Sequence, residues 1–170
     1  LGNVMLGEDC YGTHIVNEMD VPILAMGVRN LVIAASPEGI LVADKKMSSY
    51  IKPYVEQLSQ PIMFAEKSWG SFRIIDVEEG SLTVKVTLNE GHAMNYHSHA
   101  ERREIWNVVS GQGVVRLDGE ERMVVPGDLI DIPVGLKHKV TAKTRMVLIE
   151  VQIGDVISKT DKIKWEEEDL

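Results

Sequence analysis

The sequence predicts an all-β fold: a small antiparallel barrel or sandwich that follows a short β-rich segment and one helix. Two observations carry this prediction. From about residue 62 onward, nine short apolar runs follow one another at regular spacing, separated by turn-forming pairs such as Glu79-Gly80 and Asp118-Gly119. No helical periodicity interrupts these runs. Evenly spaced short strands joined by such turns are typical of antiparallel sandwiches and barrels.

Length and charge exclude several classes of protein. A chain of 170 residues holds one domain, or one domain and a fragment. Its 18 basic and 26 acidic residues give a net charge of −8, which disfavours binding to nucleic acid or to an anionic membrane surface. No apolar run approaches the roughly 18 residues that a membrane span requires. A single cysteine, Cys10, excludes an internal disulfide framework and fits a reducing, cytoplasmic location.

Three segments are expected along the chain. Residues 1–46 form a β-rich segment with strands at 14–18, 23–26, 31–35 and 39–43, arranged either as edges of a β-solenoid or as a small meander. Residues 47–60 form a linker helix, because apolar side chains recur at helical spacing over 48–58 and Pro53 falls in the first turn. Residues 61–170 form the barrel. Its strands are predicted at 72–77, 82–88, 93–99, 104–109, 114–117, 122–125, 129–132, 139–142 and 146–151.

Three histidines and one glutamate in the barrel segment have the composition of a metal site. His97 and His99 are two residues apart on a predicted strand, so their side chains point to the same face. Glu104 opens the next strand, and His138 belongs to a later one. Imidazoles with one carboxylate suit a divalent transition metal, whether Zn, Co, Mn, Ni or Fe. Ligands that bind one side of an ion leave its other coordination positions open for substrate or water.

The spacing of these residues resembles the two motifs of the cupin family. The first motif corresponds here to Gly91-x5-His97-x-His99-x4-Glu104-x6-Gly111, and the second to Gly127-x5-Pro133-x-Gly135-x2-His138. The resemblance implies a cupin barrel, with His97, His99, Glu104 and His138 as the ligands of one metal ion. One position departs from the pattern: Ala142 stands where cupins often carry an asparagine that is not a ligand.

Further stretches are similar to the C-terminal domain of type II phosphomannose isomerases, which in bifunctional enzymes follows a mannose-1-phosphate guanylyltransferase. They lie at residues 69–72, 84–85, 102–111 and 149–154, and residues 41–55 resemble the end of the transferase module. The resemblance implies a metal-dependent isomerase that interconverts mannose 6-phosphate and fructose 6-phosphate. The glycine-rich nucleotide loop of the transferase has no counterpart here, so we expect no guanylyl transfer from this chain.

Three residues are candidates for contact with the sugar phosphate. Arg102 matches an arginine position of the family, and Lys85 lies on a strand expected beside the histidine pair. Trp106 is two residues after Glu104 on the same predicted strand, so the two side chains point to the same face. These three are candidates for substrate binding, whereas the general base stays open. The chain departs from the family at His97, where glutamine is common, at Ile105, where histidine is common, and in its acidic C-terminal residues.

Two other functions stay open at this point. The cupin domain can be a non-catalytic module that binds metal or sugar and dimerises or regulates an attached nucleotidyltransferase. It can also be a dioxygenase or another metal enzyme, since three histidines and one glutamate allow that chemistry. Because uncovered strand edges favour pairing, we expect a homodimer.

Overall fold

A computed structural model describes residues 1–58 and 62–166. The chain divides into two compact units, with the boundary between Met63 and Phe64. Both units are built almost entirely from strands, which confirms the predicted all-β class. Among the residues described, no helix is long and apolar enough to cross a membrane.

The first unit contains two pairs of parallel strands. Its strands are β1 (Val4–Leu6), β2 (His14–Asn17), β3 (Ile23–Ala25), β4 (Leu31–Ser36) and β5 (Gly39–Asp44). Strand β1 pairs with β3 and β2 pairs with β4, and in both cases the partner lies 18 or 19 residues further along the chain. Such regular parallel pairing is the arrangement of a solenoid rather than of a meander. The antiparallel hairpin of β4 and β5 ends it.

The helical segment after β5 is shorter than its sequence pattern predicts. It consists of a 3-10 turn (Ser48–Tyr50) and a four-residue helix, α1 (Lys52–Val55), with Pro53 at its start. Most of its side chains are exposed, including those of Tyr50 and Tyr54. A short segment with exposed side chains gains little beyond its backbone hydrogen bonds. Residues 59 and 60, the end of the predicted linker helix, lie outside the described residues.

The second unit contains eleven described strands. They are β6 (Phe64–Lys67), β7 (Gly70–Glu78), β8 (Ser81–Leu88), β9 (His97–His99), β10 (Arg103–Ser110), β11 (Gly113–Leu117), β12 (Glu120–Val124), β13 (Leu129–Ile132), β14 (His138–Ala142), β15 (Met146–Ile153) and β16 (Lys162–Lys164). Nine of them correspond to predicted strands. Strands β6 and β16 were not predicted, and β9 is shorter than the predicted 93–99.

These strands form two sheets. The first has the order β13-β10-β15-β8-β7-β6, and the second has the order β12-β11-β14-β9-β16. Buried side chains alternate with less buried ones along β10, β13 and β14, as expected where one face of a pleated strand meets a core. The buried positions supply Trp106, Ile130 and Val140 to that core. Every metal-ligand candidate also lies on a buried position of β9, β10 or β14.

Candidate metal centre

Three histidines converge inside the second unit. His97 and His99 lie on β9, and His138 begins the adjacent strand β14, where it pairs with His97. One ligand atom from each of the three rings falls within 4.8 Å of the others, and all three side chains are buried. The strand pairing accounts for this convergence. It brings a residue of the first sequence motif directly opposite a residue of the second.

A backbone carbonyl fixes the orientation of each ring. Every Nδ1 lies within hydrogen-bonding distance of a carbonyl oxygen: His97 with Asn95 at 2.6 Å, His138 with Leu136 at 2.8 Å and His99 with Asp161 at 3.1 Å. An Nδ1–H that donates to a carbonyl leaves the Nε2 lone pair unprotonated and available. Metal-binding histidines are generally held in this manner, with the second nitrogen donating to a carbonyl or a carboxylate.

The carboxylate of Glu104 lies beside two of these rings. Its Oε1 accepts a hydrogen bond from Arg102 Nε at 2.9 Å, and its Oε2 accepts one from Trp106 Nε1 at 3.1 Å. The same two oxygens lie 3.1 Å from His99 Nε2 and 3.5 Å from His138 Nε2, respectively. Only 1% of Glu104 is exposed, so the carboxylate depends on these neighbours rather than on water.

The donor set of this cluster fits a divalent metal ion. His138 Nε2 is buried and has no hydrogen-bond partner among the described residues, although Glu104 Oε2 is only 3.5 Å away. Two acceptors that face each other at this distance repel unless a proton or another cation lies between them. Ligand atoms about 2.1 Å from one ion lie roughly 3.0–3.4 Å apart, close to the separations between Glu104 and the two histidines. His97, His99, His138 and Glu104 are therefore the residues that could hold the ion.

The buried groups carry the protonation states that metal binding requires. Burial is the first cause that lowers the pKa of His97 to about 3, and the neighbouring charges of His138 and Lys162 lower it further. At neutral pH this ring is consequently the neutral ligand form. Burial opposes ionisation of Glu104, but the neighbouring His138 and His99 outweigh it. They hold the pKa of the carboxyl well below its usual range.

The three predicted substrate-binding residues have different locations. Arg102 and Trp106 contact the cluster, and the Trp106 ring lies 5.3 Å from that of His138. Lys85 does not reach it. Strand β8 belongs to the sheet opposite β9, and Lys85 is exposed between the buried Val84 and Val86. The expectation that β8 runs beside the histidine pair is therefore wrong.

Four residues near the cluster were not predicted as site residues. Gln152 donates a hydrogen bond to Glu150, and both are buried on β15, opposite Glu104 and Trp106 in the register with β10. Burial, followed by the charge of Glu104, raises the pKa of Glu150 to about 8. The presence of an acidic residue within the apolar run 146–151 was a sequence indication that Glu150 belongs to the site. Asp161 and Lys162 lie far along the chain and gave no comparable indication.

Comparison with known proteins is consistent with this architecture. A family model described as "Mannose-6-phosphate isomerase C-terminal" matches residues 57–167. The chain is 27% identical over 154 aligned positions to the mannose-1-phosphate guanylyltransferase ManC of Salmonella typhimurium, covering 85% of the chain and 32% of ManC. It is 27% identical over 179 positions to a mannose-1-phosphate guanylyltransferase of Klebsiella pneumoniae, covering 96% of the chain and 37% of that relative.

The fold is also similar to that of solved structures. KdgF from Halomonas sp. superposes with a TM-score of 0.51 at 24% identity, covering 56% of this chain and 85% of KdgF. This likeness concerns the fold, and it confirms the predicted cupin barrel. The chain spans about a third of the length of the curated relatives it matches. Because the family model covers well over half of the residues, the chain belongs to the mannose-6-phosphate isomerase C-terminal family of cupin domains.

Proposed function

We propose that this domain is a metal-dependent mannose-6-phosphate isomerase that interconverts mannose 6-phosphate and fructose 6-phosphate. In this proposal it is the C-terminal part of a protein of the mannose-1-phosphate guanylyltransferase type. The observation that carries it is the convergence of three carbonyl-oriented imidazoles with the buried Glu104 carboxylate. Membership of a family described as mannose-6-phosphate isomerase C-terminal supports the choice of reaction.

The reaction moves a proton between C1 and C2 of the open-chain sugar. A divalent ion held by His97, His99, His138 and Glu104 would supply a Lewis acid that polarises the carbonyl and stabilises developing negative charge on oxygen. The backbone carbonyls that bind the three Nδ1 atoms keep the imidazoles oriented, so little reorganisation accompanies the reaction. Trp106 positions Glu104 through its indole N–H and excludes water from that side of the cluster.

Glu150 is the residue that we propose for proton transfer. It lies on β15, directly opposite Trp106 in the register with β10. A pKa of about 8 means that its carboxyl exchanges a proton close to neutral pH, which is the property required of a general acid or base. Gln152 holds one of its oxygens, which limits the rotation of the carboxyl group. Glu101, by contrast, is exposed.

Lys162 is the cation that we propose for contact with the sugar phosphate. It is exposed on β16, paired in register with His99 on β9. Its positive charge helps to lower the pKa of His97 and opposes the increase in the pKa of Glu150, so it acts on the cluster electrostatically. Arg102 is less suited to that contact, because its side chain is buried and its guanidinium also donates to the carbonyl of Ser158.

The test is isomerisation of fructose 6-phosphate by the 170-residue chain, followed by NMR after loading with Co²⁺, Zn²⁺ or Mn²⁺ in turn. We expect turnover with at least one ion and its loss in His99→Ala. A matched control is His92→Ala, because His92 is exposed and its side chain bonds only the carbonyl of Glu90 among the described contacts. Turnover that persists in His99→Ala, or that is absent with every ion, would contradict the proposal.

A second function is favoured by the names of the relatives, which are guanylyltransferases about three times as long as this chain. In this alternative the cupin domain binds metal or sugar without turnover, and it dimerises or regulates an attached nucleotidyltransferase. Stoichiometric metal binding without isomerisation would support it. Light scattering of the isolated chain tests the dimer directly, and a monomer at high concentration would contradict that part.

A further inference from the structure

Arg102 bridges two of the proposed metal ligands. Its Nε donates to Glu104 Oε1 at 2.9 Å, and its Nη2 lies 3.1 Å from His99 Nε2. Those two acceptor atoms are themselves 3.1 Å apart. Because Nδ1 of His99 faces the carbonyl of Asp161, the Nε2 atom carries the lone pair that receives the arginine N–H.

A lone pair that accepts this hydrogen bond cannot coordinate a metal ion at the same time. Arginine stays protonated in proteins, so the guanidinium cannot release His99 by losing a proton and has to move instead. From this geometry we infer that Arg102 and the metal ion compete for His99 and Glu104. Metal binding then transfers the guanidinium to Asp161. This inference rests on the metal site of the proposed function, but it does not depend on the isomerase reaction.

Asp161 has an acceptor available for the displaced guanidinium. Its Oδ2 is buried, lies 3.7 Å from Arg102 Nη1, and makes no hydrogen bond within residues 1–58 and 62–166. Its Oδ1 is already used, since it accepts from the backbone N–H groups of Ala100 and Glu101 at 2.8 and 3.1 Å. Arg102 Nη1 also donates to the carbonyl of Ser158 at 3.0 Å, which keeps the side chain near Asp161.

The transfer would satisfy two buried atoms that otherwise lack partners. A shift of less than about 1 Å brings Nη1 within ordinary hydrogen-bonding distance of Asp161 Oδ2. The same event exposes the lone pairs of His99 and Glu104 to the ion, which also becomes the partner of His138 Nε2. Buried groups without partners are costly, so both changes favour the metal-bound arrangement.

The test compares Co²⁺ affinity, measured by visible absorption in competition with a chelator, between wild type and two variants that each remove one positive charge. Arg102→Met should tighten binding at least tenfold, which is about 1.4 kcal/mol. Lys162→Met is the matched control. Lys162 acts on the cluster through its charge, and within the described residues its ammonium makes no hydrogen bond to His99 or Glu104. We expect it to tighten binding less than threefold.

Two further measurements separate competition from a general effect of charge. Asp161→Asn keeps an oxygen for the N–H groups of Ala100 and Glu101 but offers Arg102 an amide. It should weaken Co²⁺ binding severalfold in wild type and distinctly less in the Arg102→Met background, where only the loss of the Asp161 charge beside His99 acts. In wild-type protein labelled with ¹⁵N, Zn²⁺ should shift the Nε–H resonance of Arg102, identified by its absence in Arg102→Lys. This measurement does not depend on the metal affinity of any variant.

Equal affinity in wild type and Arg102→Met would overturn the competition, as would an equal gain in Lys162→Met or an Arg102 resonance that Zn²⁺ leaves unchanged. Failure of wild type and Arg102→Met alike to bind Co²⁺ would overturn the metal site and this inference together. Tight Co²⁺ binding with the expected differences but without isomerisation would support the inference and contradict only the proposed reaction.

Discussion

Replacement of Glu104 by glutamine should destabilise the protein markedly even when no metal is present. The substitution preserves shape but removes the negative charge and converts one acceptor oxygen into an N–H donor. We expect the free energy of unfolding at pH 7, in the presence of a chelator, to fall by about 2–4 kcal/mol. The loss follows from the contacts of the two carboxylate oxygens.

The amide can satisfy only one of the two donors that the carboxylate satisfies. If its oxygen accepts from Arg102, the bond is no longer charge-assisted on both sides and loses about 1 kcal/mol. Its NH₂ group then faces the indole N–H of Trp106, which is left buried without an acceptor at a cost of about 1–3 kcal/mol. A hydrogen bond from that NH₂ group to His138 Nε2, 3.5 Å from the original oxygen, offsets part of this loss.

Urea unfolding measures the difference, with Glu79→Gln as the matched control. Glu79 is exposed in the turn between β7 and β8, so its substitution should change the free energy of unfolding by less than about 0.5 kcal/mol. Trp106→Phe should cost less in the Glu104→Gln background than in wild type, because there it also removes an unsatisfied donor. A decrease below 1 kcal/mol for Glu104→Gln would refute the account of these hydrogen bonds.

Two other predictions concern pH and backbone geometry. Because the folded pKa of Glu150 is about 8 and its unfolded value about 4.5, its contribution to stability is complete below pH 4.5 and disappears as the pH rises through 8. The melting temperature should therefore fall between pH 6.5 and 8 in wild type and fall less in Glu150→Gln; identical profiles would contradict this. Gly111→Ala should lower the free energy of unfolding by at least about 2 kcal/mol, because φ is +78° and the new Cβ would lie 2.2 Å from the carbonyl oxygen of Arg145. Gly127→Ala should lower it by only about 1–2 kcal/mol, because φ is +97° but the new Cβ would meet nothing in the described chain within 4 Å. Thermal denaturation measures both, and equal losses would argue against the clash at Gly111.

Much of the second unit could be predicted from local pattern. Strands β7, β8, β10 and β13–β15 lie within a few residues of their predicted positions, because alternation of side chains along a pleated strand is a local property of the backbone. Strand β16 escaped prediction because it has three residues, all exposed, and hence no alternation. The predicted helix over 48–58 is reduced to a 3-10 turn and a four-residue helix, and its periodic apolar residues are mostly exposed.

The neighbours of each site residue were harder to predict. Lys85 was expected beside the histidines, but β8 pairs with β7 and β15 in the opposite sheet. Strand order depends on contacts between distant segments, and a single sequence without repeats does not encode it in any local window. Asp161 was not predicted for the same reason, because it contacts His99 and Arg102 across about 60 residues of chain.

The sequence by itself determined the regular spacing of the strands along the chain, the spacing of the two histidine motifs and the net negative charge. Those features depend on neighbouring residues and on composition, so they can be recognised before folding. The tertiary structure decided which strands pair, and thereby brought His138 opposite His97 and placed Arg102 between Glu104 and Asp161. It also buried Glu150 near Glu104, which raises the pKa of its carboxyl. Burial and through-space charge arise only when distant segments meet, and they give these side chains their chemistry.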